Sequence, residues 1–133
     1  MSAPAVSRAI TPGKVAPPAA RYSHAVLTEG AGRWLHTSGV VPASPGGGVP
    51  EGLHEQAALV WQIIAVLLAE AAMSVGDVVS VTTYVVAGND LGVVMAARDE
   101  AMGGHEAAST LVLVPALARP EWRLEVAVVA AAP

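Results

Sequence analysis

The stretch from Ala57 to Met73 is apolar except for Gln62 and Glu70, and it constrains the fold more than any other part of the chain. Extended back to Leu53, its spacing predicts a helix over Leu53–Met73, with Glu55, Gln62 and Glu70 seven and eight residues apart on one narrow stripe. A helix with so thin a wet face must be covered on most of its sides, by its own sheet and by a neighbouring element. The run is shorter than the ~20 residues a spanning helix needs, and its two polar residues argue further against a membrane span.

The flanking segments supply that sheet. Residues 1–20 carry Pro4, Pro12, Pro17 and Pro18 and read as an extended arm, because each proline removes a donor and restricts its predecessor. Tyr22–Thr28 and Arg33–Val41 read as strands joined by a hairpin at Glu29-Gly30-Ala31-Gly32. Pro42–Pro50, with its three glycines, is a loop; no Lys-Ser/Thr follows to make it a phosphate cradle. After Ser74-Val75-Gly76-Asp77, Val78–Val86 reads as a Val- and Thr-rich strand. Asn89 or Asp90 then caps a second helix through about Met102, stopped by Gly103-Gly104. Ser109–Val114 and Arg123–Ala130 complete the set. The expected fold is α+β: one domain over residues 21–133, a single mixed sheet with both helices on one face.

Apolar residues make up 53% of the 133-residue chain and charged residues 14%, more aliphatic surface than a small domain can hide alone, so oligomerisation is expected. The absence of cysteine excludes disulfides, thiolate metal sites and cysteine nucleophiles, and fits a cytoplasmic location. The broken N-terminal region offers no signal-peptide core. A net charge of -4 disfavours binding to a phosphate backbone. No His-Glu-x-x-His, Gly-x-Ser-x-Gly or nucleotide fingerprint occurs, and neither metal nor cofactor is expected.

Three segments in fixed order, Tyr22-Ser23-His24-Ala25, Thr37-Ser38-Gly39 and Arg119-Pro120-Glu121-Trp122 leading into Glu125-Val126-Ala127-Val128, resemble the RidA/YjgF family of small trimeric enamine and imine hydrolases. Gly76-Asp77-Val78-Val79 and Asn89-Asp90-Leu91 extend the likeness along nearly the whole chain. The resemblance implies a homotrimer whose sheets close a central barrel, with small-molecule clefts between subunits. It also implies roles. Glu125 matches the family's water-positioning glutamate, and Tyr22 and Ser38 match cleft-lining positions. The chain departs from the pattern at several points: Arg21 and His24 stand where proline and glutamine are usual, Met95 where an asparagine often lies, and Ala108 where an arginine clamps the substrate carboxylate.

An arginine fork on a carboxylate is worth roughly 1.5–3 kcal/mol per hydrogen bond, so a methyl group at Ala108 weakens such binding at least tenfold. Either the cation has moved, or the substrate lacks a carboxylate, or the cleft no longer does this chemistry. Arg123, on the same strand face as Glu125 and about 7 Å from it, is the first candidate for a moved cation, and Arg21 the second. An acid inside Leu124–Val128 is costly to bury unless paired or used, which marks Glu125 as the candidate general base. Backbone groups near Ala108 and Ser109 would hold developing charge. His24 is a candidate proton carrier. In a symmetric hairpin it would face away from His36, so the two would not share a metal; His54 and His105 read as solvated. The three tryptophans read as core or interface anchors. The expectation is a cytoplasmic trimer hydrolysing a small imine, enamine or carbonyl metabolite without the usual clamp. The alternatives are a non-catalytic ligand sensor or interaction trimer and, with less support, a ribonuclease or translation inhibitor.

Overall fold

The computed structural model describes residues 6–133; the first five residues of the expected arm lie outside it. Strands β1 (Ser7–Ile10), β2 (Ala25–Thr28) and β3 (Arg33–His36) precede helix α1 (Leu53–Glu70). Strand β4 (Val78–Val86), helix α2 (Leu91–Met102), β5 (Ala108–Val114) and β6 (Leu124–Ala132) follow. The main sheet has the order β3-β6-β4-β5, with β4 and β5 parallel and the other pairs antiparallel. Its mixed character follows from the connections: α2 is the crossover that a parallel β4–β5 pair requires.

Alternation sets which face is covered. Val81 and Val85 of β4 and Leu124, Val126, Val128 and Ala130 of β6 join Val60, Trp61, Ile64 and Leu68 of α1 in one core. Ser80, Thr82, Tyr84, Glu125, Ala127 and Val129 alternate with them and lie on the face without helices. Both helices pack on one side, as the pattern predicts. By length and composition α1 would also pass for a membrane-crossing helix, but its buried stripe is taken up by this sheet.

The ends of α1 and α2 have local causes. Asp90 caps α2 by accepting from the Gly92 N–H at 2.9 Å, and Gly103 ends it in the left-handed region at φ 59°. Helix α1 stops at Glu70, three residues short of the expected Met73. Ala72 turns to φ 54°, Met73 N–H donates back to the Leu68 carbonyl at 2.9 Å, and the Met73 side chain folds into the core. Its cover is also thinner than expected. Beyond the polar stripe, Ala65, Val66 and Ala69 are bare, with Val66 62% exposed.

The hairpin at Glu29–Gly32 does not form. β2 pairs with β1, from Ser7 opposite Thr28 to Ile10 opposite Ala25, while β3 pairs with β6. The four-residue link hands the chain from a two-stranded ribbon to the main sheet, and the arm thus contributes a strand. Each of β2 and β3 finds a partner far away in sequence, which a local glycine signal cannot reveal. The ribbon joins the main sheet through one bridge, Ser23 beside Ala108. With β2 and β3 in different sheets, the symmetric geometry assumed for His24 and His36 does not apply.

Candidate functional site

Past the end of β3 the chain continues along β6 with one residue too many. Thr37 N–H donates to the Val128 carbonyl at 3.0 Å, and Val40 and Val126 exchange bonds of 2.7 and 3.1 Å. Three steps from residue 37 to 40 thus face two on β6, so Ser38-Gly39 is a bulge. The Thr37 hydroxyl pins it by accepting from Val128 N–H at 3.0 Å. The bulge brings the Gly39 backbone under the Glu125 side chain: a Cβ at residue 39 would stand 2.6 Å from the Glu125 Cδ, closer than any real contact. A side chain at residue 39 would therefore displace the Glu125 carboxylate from where it now lies.

Glu125 itself is half-buried on the helix-free face and paired across the sheet with Tyr84. Among the described residues it has no ion-pair partner; the one salt bridge joins Arg98 to Asp99. Ser38, Thr37 and His36 line a groove of about 540 Å3 with Leu67 and Glu70 at the β3 edge. Trp34 stacks near His36, ring centroids 6.4 Å apart, and at 52% exposure lies outside the core, the first of the two places expected for the tryptophans.

The remaining expected residues gather at the other end. Ser23 is buried and its hydroxyl donates to the Glu106 carbonyl at 2.7 Å, which fixes Tyr22 and His24 on either side of it. The Tyr22 hydroxyl accepts from Ala19 N–H at 3.3 Å, and His24 Nε2 donates to the Ala16 carbonyl, so both rings face the arm. Their edge-on contact has centroids 6.1 Å apart. Ala108 begins β5 next to Ser23 and opposite Ser80. Ser109 faces the helices, where its hydroxyl accepts from Arg98 Nη1 at 3.3 Å; Met95 is half-buried one turn before Arg98 on α2.

Ala108 and Glu125 share a sheet face but not a site within one chain. Ala108 aligns with Ser80 and Val129, Glu125 with Tyr84 and Val112, four residues along and two strands across. That separation is roughly 16 Å. Arg123 is turned elsewhere: Nε donates to the Glu51 carbonyl at 3.0 Å and Nη1 to Asn89 Oδ1 at 3.1 Å, holding the starts of both helices together. Arg21 is exposed.

Gly39, named only as part of the Thr37-Ser38-Gly39 run, and Tyr84 and Arg98 take places at the site that the sequence does not assign them. The Thr-Ser-Gly run hinted at the first, and a lone tyrosine in a Val/Thr strand at the second. Arg98, a buried cation on an otherwise apolar helix face, looks in sequence like an ordinary solvated arginine. His105, expected to be solvated, is half-buried, and its Nε2 donates to the Val78 carbonyl at 2.7 Å. Trp122 is half-buried under the Arg119 guanidinium, 5.7 Å from the ring centre, while Trp61 is in the core.

Two helices on one side of a mixed sheet, and on the other a glutamate bedded on a bulge glycine, define a small α+β domain with its polar residues on the open sheet face. The family model described as Endoribonuclease L-PSP matches residues 13–132, and the chain belongs to this family, also known as Rid or YjgF. The chain is similar to the Rid-family protein YyfB of Yersinia pestis, a protein of unknown function, at 30% identity and a TM-score of 0.86, over 95% of this chain and 98% of that one. Yeast Mmf1 is similar at 26% identity and a TM-score of 0.71, over 96% and 99%. Rv2704 of Mycobacterium tuberculosis, at 24% identity and a TM-score of 0.64 over 83% and 86%, shares the fold. No match is found among curated proteins.

Proposed function

We propose that three copies of this chain associate through their helix-free sheet faces, and that the clefts between them hydrolyse a small imine, enamine or carbonyl metabolite that need not carry a carboxylate. The observation that carries this reading is Glu125: half-buried, without a counter-ion among the described residues, and seated on a glycine that makes room for its carboxylate. An acid in that setting is available for proton transfer. Exposed Trp34 and Val112, at 52% and 38%, are apolar surface on the helix-free face that association would cover. Association would also bring the Ala108 end of one copy to the Glu125 end of another, which a separation of roughly 16 Å within one chain prevents.

In this reading the Glu125 carboxylate takes a proton from water as the water oxygen bonds to the imine carbon. The carboxyl group then delivers that proton to nitrogen, giving a carbinolamine. The carboxylate next takes the carbinol hydroxyl proton and passes it to nitrogen as the C–N bond breaks, so that ammonia leaves and the carbonyl forms. Ser38 and Tyr22 line the cleft, backbone groups at Ala108–Ser109 face the developing charge, and His24 and Met95 border it. Arg123, already bonded to Glu51 and Asn89, is not assigned to the substrate. Because Ala108 offers no guanidinium, 2-aminoacrylate generated in situ is a poor substrate. The test compares its hydrolysis with that of neutral imines: turnover of 2-aminoacrylate at the level of an arginine-bearing relative overturns the proposal.

A second reading, a ligand-sensing trimer without turnover, is favoured by Ala108 and Met95, which both make the cleft less polar. Glu125→Ala separates the two, since a sensor keeps its ligand affinity and an enzyme loses its rate. The family model's ribonuclease name finds little support in seven Lys and Arg residues, of which Arg33, Arg98 and Arg123 are bonded within the chain.

A further inference from the structure

The Arg119–Trp122 turn, singled out in the sequence but unused by the cleft, closes a second cavity of about 480 Å3, whose wall includes Glu51, Gln56, Asn89, Glu121, Trp122 and Arg123 but not Glu125. Its frame is fixed by one buried side chain. The Gln56 amide donates to the Pro50 and Glu121 carbonyls at 2.7 and 2.9 Å, and its oxygen accepts from Arg123 N–H at 2.9 Å. A cavity of this size, preformed by satisfied hydrogen bonds, suits a small molecule.

The wall has polar groups left over. Arg123 uses Nε on the Glu51 carbonyl and one Nη1 hydrogen on Asn89, so its Nη2 group has no acceptor among the described residues. The Trp122 indole N–H is buried without an acceptor, a state that is costly for a donor. Glu51 and Glu121 supply carboxylates, and neither is in the chain's one ion pair among the described residues. A simple anion would answer the guanidinium and leave the acids uncompensated; a simple amine would do the reverse.

We propose that this cavity binds a small zwitterion of the α-amino acid class, its carboxylate on the Arg123 guanidinium and its ammonium group toward Glu51 and Glu121. The planar fork of arginine matches a carboxylate, and the two acids answer the opposite charge at the other end of the same ligand. The site is separate from the Glu125 cleft.

The three tryptophan indole N–H groups of the 15N-labelled protein provide the test. Glycine and L-alanine should shift the Trp122 resonance, assigned with Trp122→Phe, in a saturable way, at concentrations where acetate or methylammonium alone has no effect. Arg123→Gln should weaken binding at least tenfold. Glu121→Gln, at an exposed position that leaves the Arg123 bonds intact, should weaken it several-fold even if Arg123→Gln fails to fold. Glu125→Ala should leave it unchanged. The absence of a saturable Trp122 shift at millimolar amino acid, equal binding of acetate, or loss of binding in Glu125→Ala would each overturn the proposal.

Discussion

The two ends of the helix-free sheet face are built alike and equipped differently. At the β6 end, a bulge lowers a glycine beneath Glu125 and leaves the carboxylate without a counter-ion among the described residues. At the β5 end, the same quality of backbone fit, Ser23 bonded to Glu106 and bridged to Ala108, presents a methyl group, and the neighbouring polar groups of Tyr22 and His24 are already bonded to the arm. Backbone geometry and side-chain chemistry are therefore separable here: one end holds a carboxyl group without an ion-pair partner among the described residues, the other only a shaped strand start.

The contrast breaks most sharply at Glu125. Glu125→Gln keeps the volume and removes the base, so turnover of any imine substrate should fall by about 10²–10⁴ while the melting temperature barely moves. Steady-state assay alongside thermal unfolding checks this. An unchanged rate would make the β6 end as inert as the β5 end.

The reverse experiment equips the poor end. Ala108 is half-buried on the helix-free face beside Ser80 and is not part of the core cluster, so Ala108→Arg extends along that face without replacing a core side chain. It should raise kcat/KM for carboxylate-bearing enamines at least tenfold and leave neutral imines unaffected. Competition between the two substrate types measures the effect. No gain would mean that the β5 end lacks more than a guanidinium.

Gly39→Ala probes the bed itself. The new methyl group must push the flexible end of Glu125 aside, so stability should fall by no more than about 1 kcal/mol, read from urea unfolding, with a loss of turnover from the displaced carboxylate. Stability lost without any change in rate would show that the position of Glu125 is not tuned by its glycine.

How much of this could be read from residues alone depended on range. Val78–Val86 and most of the last strand, expected over Arg123–Ala130 and found over Leu124–Ala132, were legible because alternation is local and survives any partner, and Asn89-Asp90 with Gly103 marked the limits of α2 through chemistry within one turn. Glu125 stood out as an acid among valines. The pairing of β1 with β2 was hidden: Ser7–Ile10 is four residues between prolines, and its partner is defined only by the tertiary fold. The reach of Arg98 to Ser109 was equally hidden, because nothing in an arginine's sequence neighbours states which way its long side chain turns. The bulge at Ser38-Gly39 depends on counting residues against a strand almost ninety positions away.

Tyr22→Phe gives the smallest expected effect and the finest division between the two ends. The hydroxyl accepts one exposed hydrogen bond, from Ala19 N–H at 3.3 Å, and bonds of that kind contribute about 0.5–1.5 kcal/mol at most when well formed. This one is long and open to water, which replaces it readily, so unfolding stability should change by less than about 0.5 kcal/mol. If the hydroxyl stays with the arm during catalysis, turnover changes by less than threefold. If the arm releases it to the substrate, the rate falls by tenfold or more at unchanged stability, and the β5 end then contributes a polar group of its own. Pairing the kinetic assay with hydrogen exchange at the Ala19 amide distinguishes these outcomes, since an arm that lets go of Tyr22 also exposes that amide.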